Sequence, residues 1–307
     1  MEVFLFKRLV KANVSGYNEM AKNIPSLEVI MKFQRIASAI ILFLLVIIFC
    51  SSAFYVARYF LDSKTQMDRY DNLAAIVEQE RNQLHTEPPK PVAPEETAPP
   101  ATDISGEIIP EPSEVAILPE YRTLHEMNSD LAGWITIEDT KIDLPVMHAP
   151  DRKDYYLKRN FDGEPNAHGC LYIREACDIN APSDNVTIYG HHMKDGTMFG
   201  GLKKYQKQSY WETHDTILFD TLYERRTYKI CAVFKTTATL DQGFPYHAFI
   251  NAEDEADFHE FIDTCLSLSF YDTGIKPVYG DKIICLSTCE YTQTNGRLVV
   301  AAVMVNE

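Results

Sequence analysis

The stretch "IICLSTCEYTQTNGRLVV", residues 283–300, decides the fold of this chain. An apolar, β-branched run ends at Cys289, a polar turn follows, and a second apolar run begins at Arg297. Two such runs around a polar turn are typical of a β-hairpin. Pairing would place Arg297 beside Cys289, and the two-residue period of a strand puts Cys285, Ser287 and Cys289 on one face.

Short strands of the same kind recur from about residue 114 to the end of the chain. About eight runs rich in Val, Ile, Tyr and Thr alternate with turn residues: "GWITI", "KIDLPVM", "GCLYI", "NVTIYG", "TILFD", "TYKICAVFKT", "DKIICLST" and "RLVVAAVMV". This pattern predicts a mainly β domain, a sandwich or a barrel. Helical patterns interrupt it at residues 120–128, 198–205 and 252–270, and the last repeats apolar residues at helical spacing from Phe258 to Leu266.

One segment has the composition of a membrane span. Residues 36–57, "IASAIILFLLVIIFCSSAFYVA", carry no charge and lie between Arg35 and Arg58. About 20 apolar residues cross a bilayer as a helix. The run is too long, and too far from Met1, for a cleaved signal peptide. A buried core helix is the remaining alternative, and the sequence favours a retained transmembrane helix.

The orientation of this span follows from the charges that precede it. Six basic residues stand against three acidic ones before the span: Lys7, Arg8, Lys11, Lys22, Lys32 and Arg35 against Glu2, Glu19 and Glu28. Basic residues stay on the cytoplasmic side of a membrane. We therefore expect residues 1–35 to be cytoplasmic and the C-terminal part to be extracellular, in a single-pass membrane protein.

Two further segments separate the span from the β-rich part. Residues 58–86 are polar, with four apolar residues at roughly heptad spacing, and predict a stalk helix or an ordinary solvated helix. Residues 87–113 hold eight of the 16 prolines. Proline fixes φ and removes an amide donor, so this stretch predicts an extended linker. The remaining residues, 114–307, form the predicted working domain.

The composition excludes several classes of protein. A net charge of −15 argues against nucleic acid as a partner, because its binders need a basic face. The seven cysteines include no CxxC pair, so no zinc ribbon is expected. His191 and His192 with Asp195 lack a second ligand cluster. No metal and no cofactor are predicted.

Cys289 is the strongest candidate for a catalytic residue. It precedes the polar turn, which would bring its thiol to the rim of the sheet. A nearby guanidinium stabilises a thiolate and can donate to an oxyanion, whereas a structural cysteine, the alternative, needs neither. A nucleophilic cysteine also needs a proton-transfer partner. His191 follows a strand end in "NVTIYGHHM", although a polar loop is an equal interpretation, and His247 is predicted to be a surface residue.

Four motifs, in order, resemble the sortase transpeptidases of Gram-positive bacteria, and class B sortases in particular. They are "GWITIEDTKIDLPVM" at 133–147, "YGHHMKDGTMF" at 189–199, the long helical pattern at 252–270, and "LSTC" at 286–289 with an arginine eight residues later. The resemblance runs from about residue 119 to the C-terminus. It implies an eight-stranded sortase-type β-barrel with peripheral helices, behind an N-terminal transmembrane helix and a proline-rich linker.

The resemblance also implies roles for individual residues. Cys289 matches the nucleophile, His191 the catalytic histidine and Arg297 the catalytic arginine. The implied substrates are secreted proteins with a C-terminal sorting motif, cleaved after threonine through a thioacyl enzyme. The acceptor would be a peptidoglycan cross-bridge amine or a pilin lysine. Ser287 and Thr288 are predicted to line the substrate groove, and the backbone N–H of Glu290 to assist at the oxyanion.

Other functions compete with transfer to the cell wall. A surface cysteine peptidase would use the same residues with water as acceptor, and a pilin-polymerising sortase would use a lysine. A non-catalytic domain that kept the fold is a third alternative, against which the intact Cys, His and Arg set argues. The "HGC" at 168–170 is similar to a phrase of L,D-transpeptidases, but the surrounding residues of that family are missing.

Overall fold

A computed structural model of the chain describes residues 27–86, 116–239, 242–292 and 294–305. The chain divides into two compact units, Met1–Asp62 and Ser63–Glu307, and each is described by itself. The predictions for the first 26 residues and for the proline-rich linker at 87–113 lie outside the described residues.

The order of elements follows the sequence patterns closely. The α-helices are α1 (Leu27–Thr86), α2 (Pro119–Met127), α3 (Gln208–Trp211) and α4 (Glu255–Leu268), and 3-10 helices cover Tyr155–Lys158 and Phe199–Gln206. The strands are β1 (Leu131–Thr136), β2 (Asp143–Met147), β3 (Leu171–Ile173), β4 (Asn185–Tyr189), β5 (Thr216–Thr221), β6 (Arg225–Thr237), β7 (Ile283–Glu290) and β8 (Gly296–Val305). The helical pattern at 198–205 is therefore a 3-10 helix, not an α-helix.

The eight strands close into a barrel in the order β1-β2-β3-β4-β7-β8-β6-β5. Most neighbours are antiparallel, but β2 pairs with β3 and β4 pairs with β7 in parallel. Closure leaves no strand edge unpaired, which removes a route to aggregation. The predicted eight-stranded barrel is confirmed.

Helix α4 covers one side of the barrel with the apolar face that the sequence predicts. Phe258, Phe261, Ile262 and Cys265 are buried against residues of β6, β7 and β8. Asp254 caps the N-terminus of the helix, and its carboxylate accepts a hydrogen bond from the N–H of Asp257. Such a cap satisfies one of the free amides of the first turn. This packing fixes the outer face of the hairpin that carries Cys289.

The first unit, as far as it is described, is the N-terminal part of α1. Among the described residues, one helix, Gln34–Gln83, is long and apolar enough to cross a membrane, and no part of its most apolar window, of mean hydropathy 2.7, is buried. Large apolar side chains along this stretch, such as Phe43, Phe49 and Tyr55, are exposed. Exposed apolar surface of this extent is expected where lipid replaces water around a helix.

The second unit includes the rest of α1, which packs on the barrel. Tyr70, Leu73 and Val77, three of the four residues at heptad spacing, are 1%, 0% and 3% exposed. Polar contacts add to this interface: the Tyr70 hydroxyl donates to the carbonyl of Gly169 at 2.9 Å, and Arg81 donates to Asp220 at 2.8 Å. The apolar spacing of residues 58–86 thus marks a face that is buried against the barrel.

This packing makes the point of truncation matter. A chain that begins at Ser63 should be soluble without detergent and keep its fold, because it loses only the first unit. A chain that begins at residue 114 also loses Tyr70, Leu73 and Val77, which are buried. At about 1.5–3 kcal/mol for each buried apolar side chain, we expect a loss of roughly 5 kcal/mol of unfolding free energy. For a domain of this size that is a melting temperature lower by about 10–20 °C.

Thermal unfolding of the two truncated chains, followed by circular dichroism, checks this prediction, with the full chain in detergent as the reference. Equal melting temperatures would mean that residues 63–86 add nothing to the stability of the barrel.

Candidate active site

The hairpin of β7 and β8 places Cys289 and Arg297 side by side. The two residues are direct partners across the antiparallel pair, in the register that runs from Ile283 opposite Val303 to Glu290 opposite Gly296. Cys289 is half-buried, while the other cysteines of the barrel unit are buried, all of them with free thiols. The thiol of Cys289 is therefore the one in this unit that solvent can reach.

Cys289, His191 and Arg297 line one cavity of about 620 Å³. Ser287 and Thr288 line the same cavity, two positions and one position before the nucleophile candidate. A concave site of this size with a few convergent polar groups is typical of a binding site for an extended peptide or a small ligand. The three residues that the sequence singles out are thus brought together by the fold.

His191 reaches this cavity because β4 runs parallel to β7. Tyr189 lies opposite Ser287, and the N–H of Gly190 donates to the carbonyl of Ser287 at 3.1 Å. A side chain at Gly190 would meet Leu171 and Phe199 within 3 Å, so only glycine fits the position. The strand therefore ends directly beside the cysteine strand, and His191 is the second residue beyond it, after Gly190.

The ring of His191 is oriented by the carbonyl of Leu157, in the 3-10 helix Tyr155–Lys158. The distance from Nε2 to this oxygen is 2.6 Å. A carbonyl can only accept, so Nε2 carries a proton and Nδ1 is the nitrogen whose protonation can change. Such a second partner fixes the tautomer of a histidine that transfers protons.

Arg297 is held at the start of β8 by its own turn. Its Nη1 donates to the carbonyls of Gly296 at 2.9 Å and Asn295 at 3.3 Å. These contacts use one of the three nitrogen atoms of the guanidinium, in the part of the chain that is described. A planar guanidinium presents five N–H donors in a fixed fork. The remaining donors are the ones that a negatively charged oxygen in the cavity would use.

The three residues proposed to bind substrate occupy different environments. The Ser287 hydroxyl is 2.6 Å from the hydroxyl of Tyr246. Thr288 lines the cavity, and its buried Oγ1 has no hydrogen-bond partner among the described residues. The Glu290 carboxylate instead pairs with Lys235 at 3.0 Å and accepts from the hydroxyl of Thr292 at 2.6 Å. Burial alone would raise the pKa of Glu290, but these contacts lower it below its ordinary value.

His192 packs against the turn that follows β7. Its ring lies 5.4 Å from that of Tyr291, edge to face. Burial and then the charge of Lys203 lower the pKa of His192, against smaller opposing effects of the Cys289 backbone and Glu290. The ring is thus neutral at neutral pH.

Two residues at the cavity were missed or misjudged from the sequence. His247 was predicted to be a surface residue, but it is half-buried and lines the cavity next to Tyr246. Burial, then the charges of Arg174 and Arg297, lower the pKa of His247. Burial raises the pKa of Tyr246 to about 12. Both lie in a long loop after β6 that has no periodic pattern, so the sequence carries no signal of where they point.

Two weaker motifs are placed away from the cavity. Cys170 of the "HGC" motif is buried 3.0 Å from the hydroxyl of Tyr70, and burial raises its pKa to about 12. A thiol with that pKa is a poor nucleophile. The Asp195 carboxylate accepts from Ser63 and Thr197 instead of facing the two histidines. Among the described residues, no group of three or more His, Cys, Asp or Glu side chains is arranged to hold a metal ion.

Comparison with known proteins identifies the class to which this fold and site correspond. The sequence model of the sortase domain family matches residues 135–305. The chain therefore belongs to the sortase family of cysteine transpeptidases.

Its relatives narrow the assignment to class B. Sortase B of Listeria monocytogenes is 31% identical over 235 residues, 76% of this chain and 88% of the relative, and Sortase B of Staphylococcus aureus is 31% identical over 191 residues, 62% and 76%. A crystal structure of sortase B from Bacillus anthracis matches 81% of this chain and all of that chain, with 29% identity and a TM-score of 0.61.

Proposed function

We propose that this class B sortase is anchored in the cell membrane with its barrel outside the cell. There it would cleave the C-terminal sorting signal of secreted proteins after threonine and transfer them to a cell-wall amine. The observation that carries the proposal is the convergence of Cys289, His191 and Arg297 on one cavity, with Cys289 and Arg297 directly paired.

In the first step, the Cys289 thiolate attacks the carbonyl carbon of the threonine. The carbonyl electrons move to oxygen, and the resulting oxyanion accepts hydrogen bonds from Arg297 and from the backbone N–H of Glu290. When the oxyanion collapses, the C–N bond breaks and His191 protonates the leaving amine. The product of this step is a thioester between Cys289 and the threonine.

The second step reverses the roles with a new amine. His191, now neutral, takes a proton from the incoming amine, which attacks the thioester carbonyl. The C–S bond breaks, the thiolate of Cys289 is restored, and an amide forms. Because Nε2 of His191 is hydrogen-bonded to the carbonyl of Leu157, Nδ1 is the atom that gives and takes the proton in the two steps.

The location outside the cell rests on the charge pattern and the apolar helix. The basic residues precede the span, and the acidic barrel unit follows it. External protease added to intact cells should therefore digest the barrel unit. The proposal of an extracellular domain would be wrong if the protease cleaved it only after the cells were lysed.

A peptide-library assay tests the proposed reaction. Peptides that contain a threonine at the cleavage position are incubated with the chain that begins at Ser63, with and without a free α-amine or a lysine ε-amine. Amide products that retain the threonine would support a transferase. Cleavage that yields only the free carboxylate, with either amine present, would indicate a cysteine peptidase, and transfer to the lysine alone would indicate a pilin-polymerising sortase.

Arg297→Lys should separate the role of the guanidinium from that of its charge. Lysine keeps the positive charge but loses the planar fork that directs several N–H groups at once. We expect kcat to fall by more than about tenfold, since loss of an oxyanion donor typically removes 2 kcal/mol or more of transition-state stabilisation. Substrate binding should change little, because the oxyanion exists only after attack.

Steady-state kinetics measure this prediction, and Arg174→Lys, at another arginine that lines the cavity, is the matched control. If Arg297→Lys weakened binding and left kcat unchanged, Arg297 would hold the substrate instead of the oxyanion.

A further inference from the structure

A second, smaller cavity of about 250 Å³ lies beyond the loop that follows His191. Four lysines line it: Lys141 in the turn between β1 and β2, Lys194 in the loop, and Lys203 and Lys204 in the 3-10 helix Phe199–Gln206. The backbone of Gly196, Gly200 and Gly201 forms part of its wall. At Gly196, with φ of +80°, an added side chain would meet nothing within 4 Å. The wall is therefore open to a ligand at that position.

The positive charge of this cavity is only partly neutralised by the protein. Among the described residues, Asp195 is the one acidic residue that lines it, and its carboxylate accepts from the hydroxyls of Ser63 (Oδ2, 2.5 Å) and Thr197 (Oδ1, 2.6 Å), so it offsets one of the four lysine charges. Lys141 donates a hydrogen bond to the backbone carbonyl of Asp195, and the ammonium group of Lys204 lies over the ring of Tyr210. Among the described residues, no carboxylate forms an ion pair with any of the four lysines.

This cluster contrasts with the charge of the chain as a whole. Four lysines line one small cavity of a protein whose net charge is −15. Their charge also reaches the neighbouring loop, because, after burial, the charge of Lys203 lowers the pKa of His192. A bound anion would offset this charge.

We propose that this cavity binds a phosphate group, either of a soluble phosphate or pyrophosphate compound or of a membrane lipid headgroup. Lysine ammonium groups bind phosphate oxygens as point charges, and four of them can surround one tetrahedral group. The cavity is too small for a nucleic acid duplex, and the acidic chain would repel one. This site is separate from the proposed catalytic residues and does not depend on the proposed reaction.

Lysine footprinting on the full chain tests the site. The protein is reconstituted in zwitterionic phosphatidylcholine nanodiscs, and the acetylation rate of each lysine is measured by mass spectrometry. The first arm adds inorganic pyrophosphate, with sodium chloride of the same ionic strength as its control. The second arm replaces part of the lipid with phosphatidylglycerol. A bound phosphate raises the pKa of a neighbouring ammonium by one unit or more, so we expect acetylation to slow by about tenfold.

Lys207 is the matched control, because it follows the same 3-10 helix but does not line the cavity. Protection of Lys141, Lys194, Lys203 and Lys204 without Lys207, in the pyrophosphate arm, assigns the site to soluble phosphates. The same protection with phosphatidylglycerol alone assigns it to a lipid headgroup, and protection in both arms assigns it to the phosphate group itself. Unchanged rates in both arms, or equal protection of Lys207, would overturn the proposal.

Charge-removing variants give an independent measurement. Lys203→Gln or Lys141→Gln should weaken binding of pyrophosphate, or of phosphatidylglycerol if that arm responds, by at least about fivefold. This is the effect of one unit charge at roughly 4 Å in water. Lys207→Gln should leave the affinity unchanged. All three residues are exposed, so the variants are expected to fold, and equal affinities of the three would contradict the site.

Discussion

Cys289→Ala is expected to abolish formation of the thioacyl enzyme while leaving the fold intact. The substitution removes the sulfur that we propose forms the covalent bond, and no other thiol of the barrel unit can replace it. The other cysteines of this unit are buried, and burial raises the pKa of Cys231, for example, to about 12. A buried, protonated thiol neither reaches a peptide nor attacks it.

Mass spectrometry of the protein after incubation with a substrate peptide measures this result, since the thioacyl enzyme is heavier by the acyl fragment. Cys285→Ala is the matched control, because Cys285 lies on β7 four residues earlier and is fully buried. It should lose some stability and keep the covalent intermediate. An acyl adduct on Cys289→Ala would show that another residue is the nucleophile.

His191→Ala is expected to lower turnover by about 10²–10⁴-fold, the usual contribution of a general acid and base. His192→Ala should retain most of the activity. The reason lies in the two environments: His191 lines the cavity with Nδ1 available for proton transfer, whereas His192 packs against the ring of Tyr291. The first ring can exchange a proton with a substrate, and the second supports the loop.

The ratio kcat/KM for a cleaved peptide, measured over a range of pH, distinguishes the two histidines. The His192 variant should keep the pH profile of the parent chain, while the residual activity of the His191 variant should lose the limb that reports on a histidine. The opposite outcome, a silent His191→Ala and an inactive His192→Ala, would assign the proton transfer to His192.

The sequence was sufficient for the features that depend on local pattern. Alternating and β-branched runs predict the strands, and the eight-stranded barrel is confirmed. The i, i+3, i+4 spacing from Phe258 predicts the buried face of α4. The pairing of Cys289 with Arg297 followed from the hairpin alone, because the turn fixes the register of two consecutive strands. The motifs that resemble class B sortases could also be recognised from the sequence alone.

Other features required contacts between residues far apart in the chain. Because β4 lies parallel to β7, His191 is brought next to a strand that lies almost a hundred residues later in the chain. Parallel strands are not joined by a tight turn, so no local sequence signal predicts this pairing. The pairing of Glu290 with Lys235, and the approach of His247 to the cavity, depend on β6 and the loop after it. A residue pattern records which face is apolar and does not record which surface will cover it.

Residues 58–86 show the division most clearly. The spacing of Tyr70, Leu73 and Val77 predicts a helix with one apolar face. The sequence by itself determined this feature. Whether the face meets solvent, a second helix or the barrel was decided only by the tertiary structure, which buries it on the barrel. The physical reason is that an apolar stripe gains the same free energy against any dry surface of matching shape, so its partner is chosen by the fold as a whole.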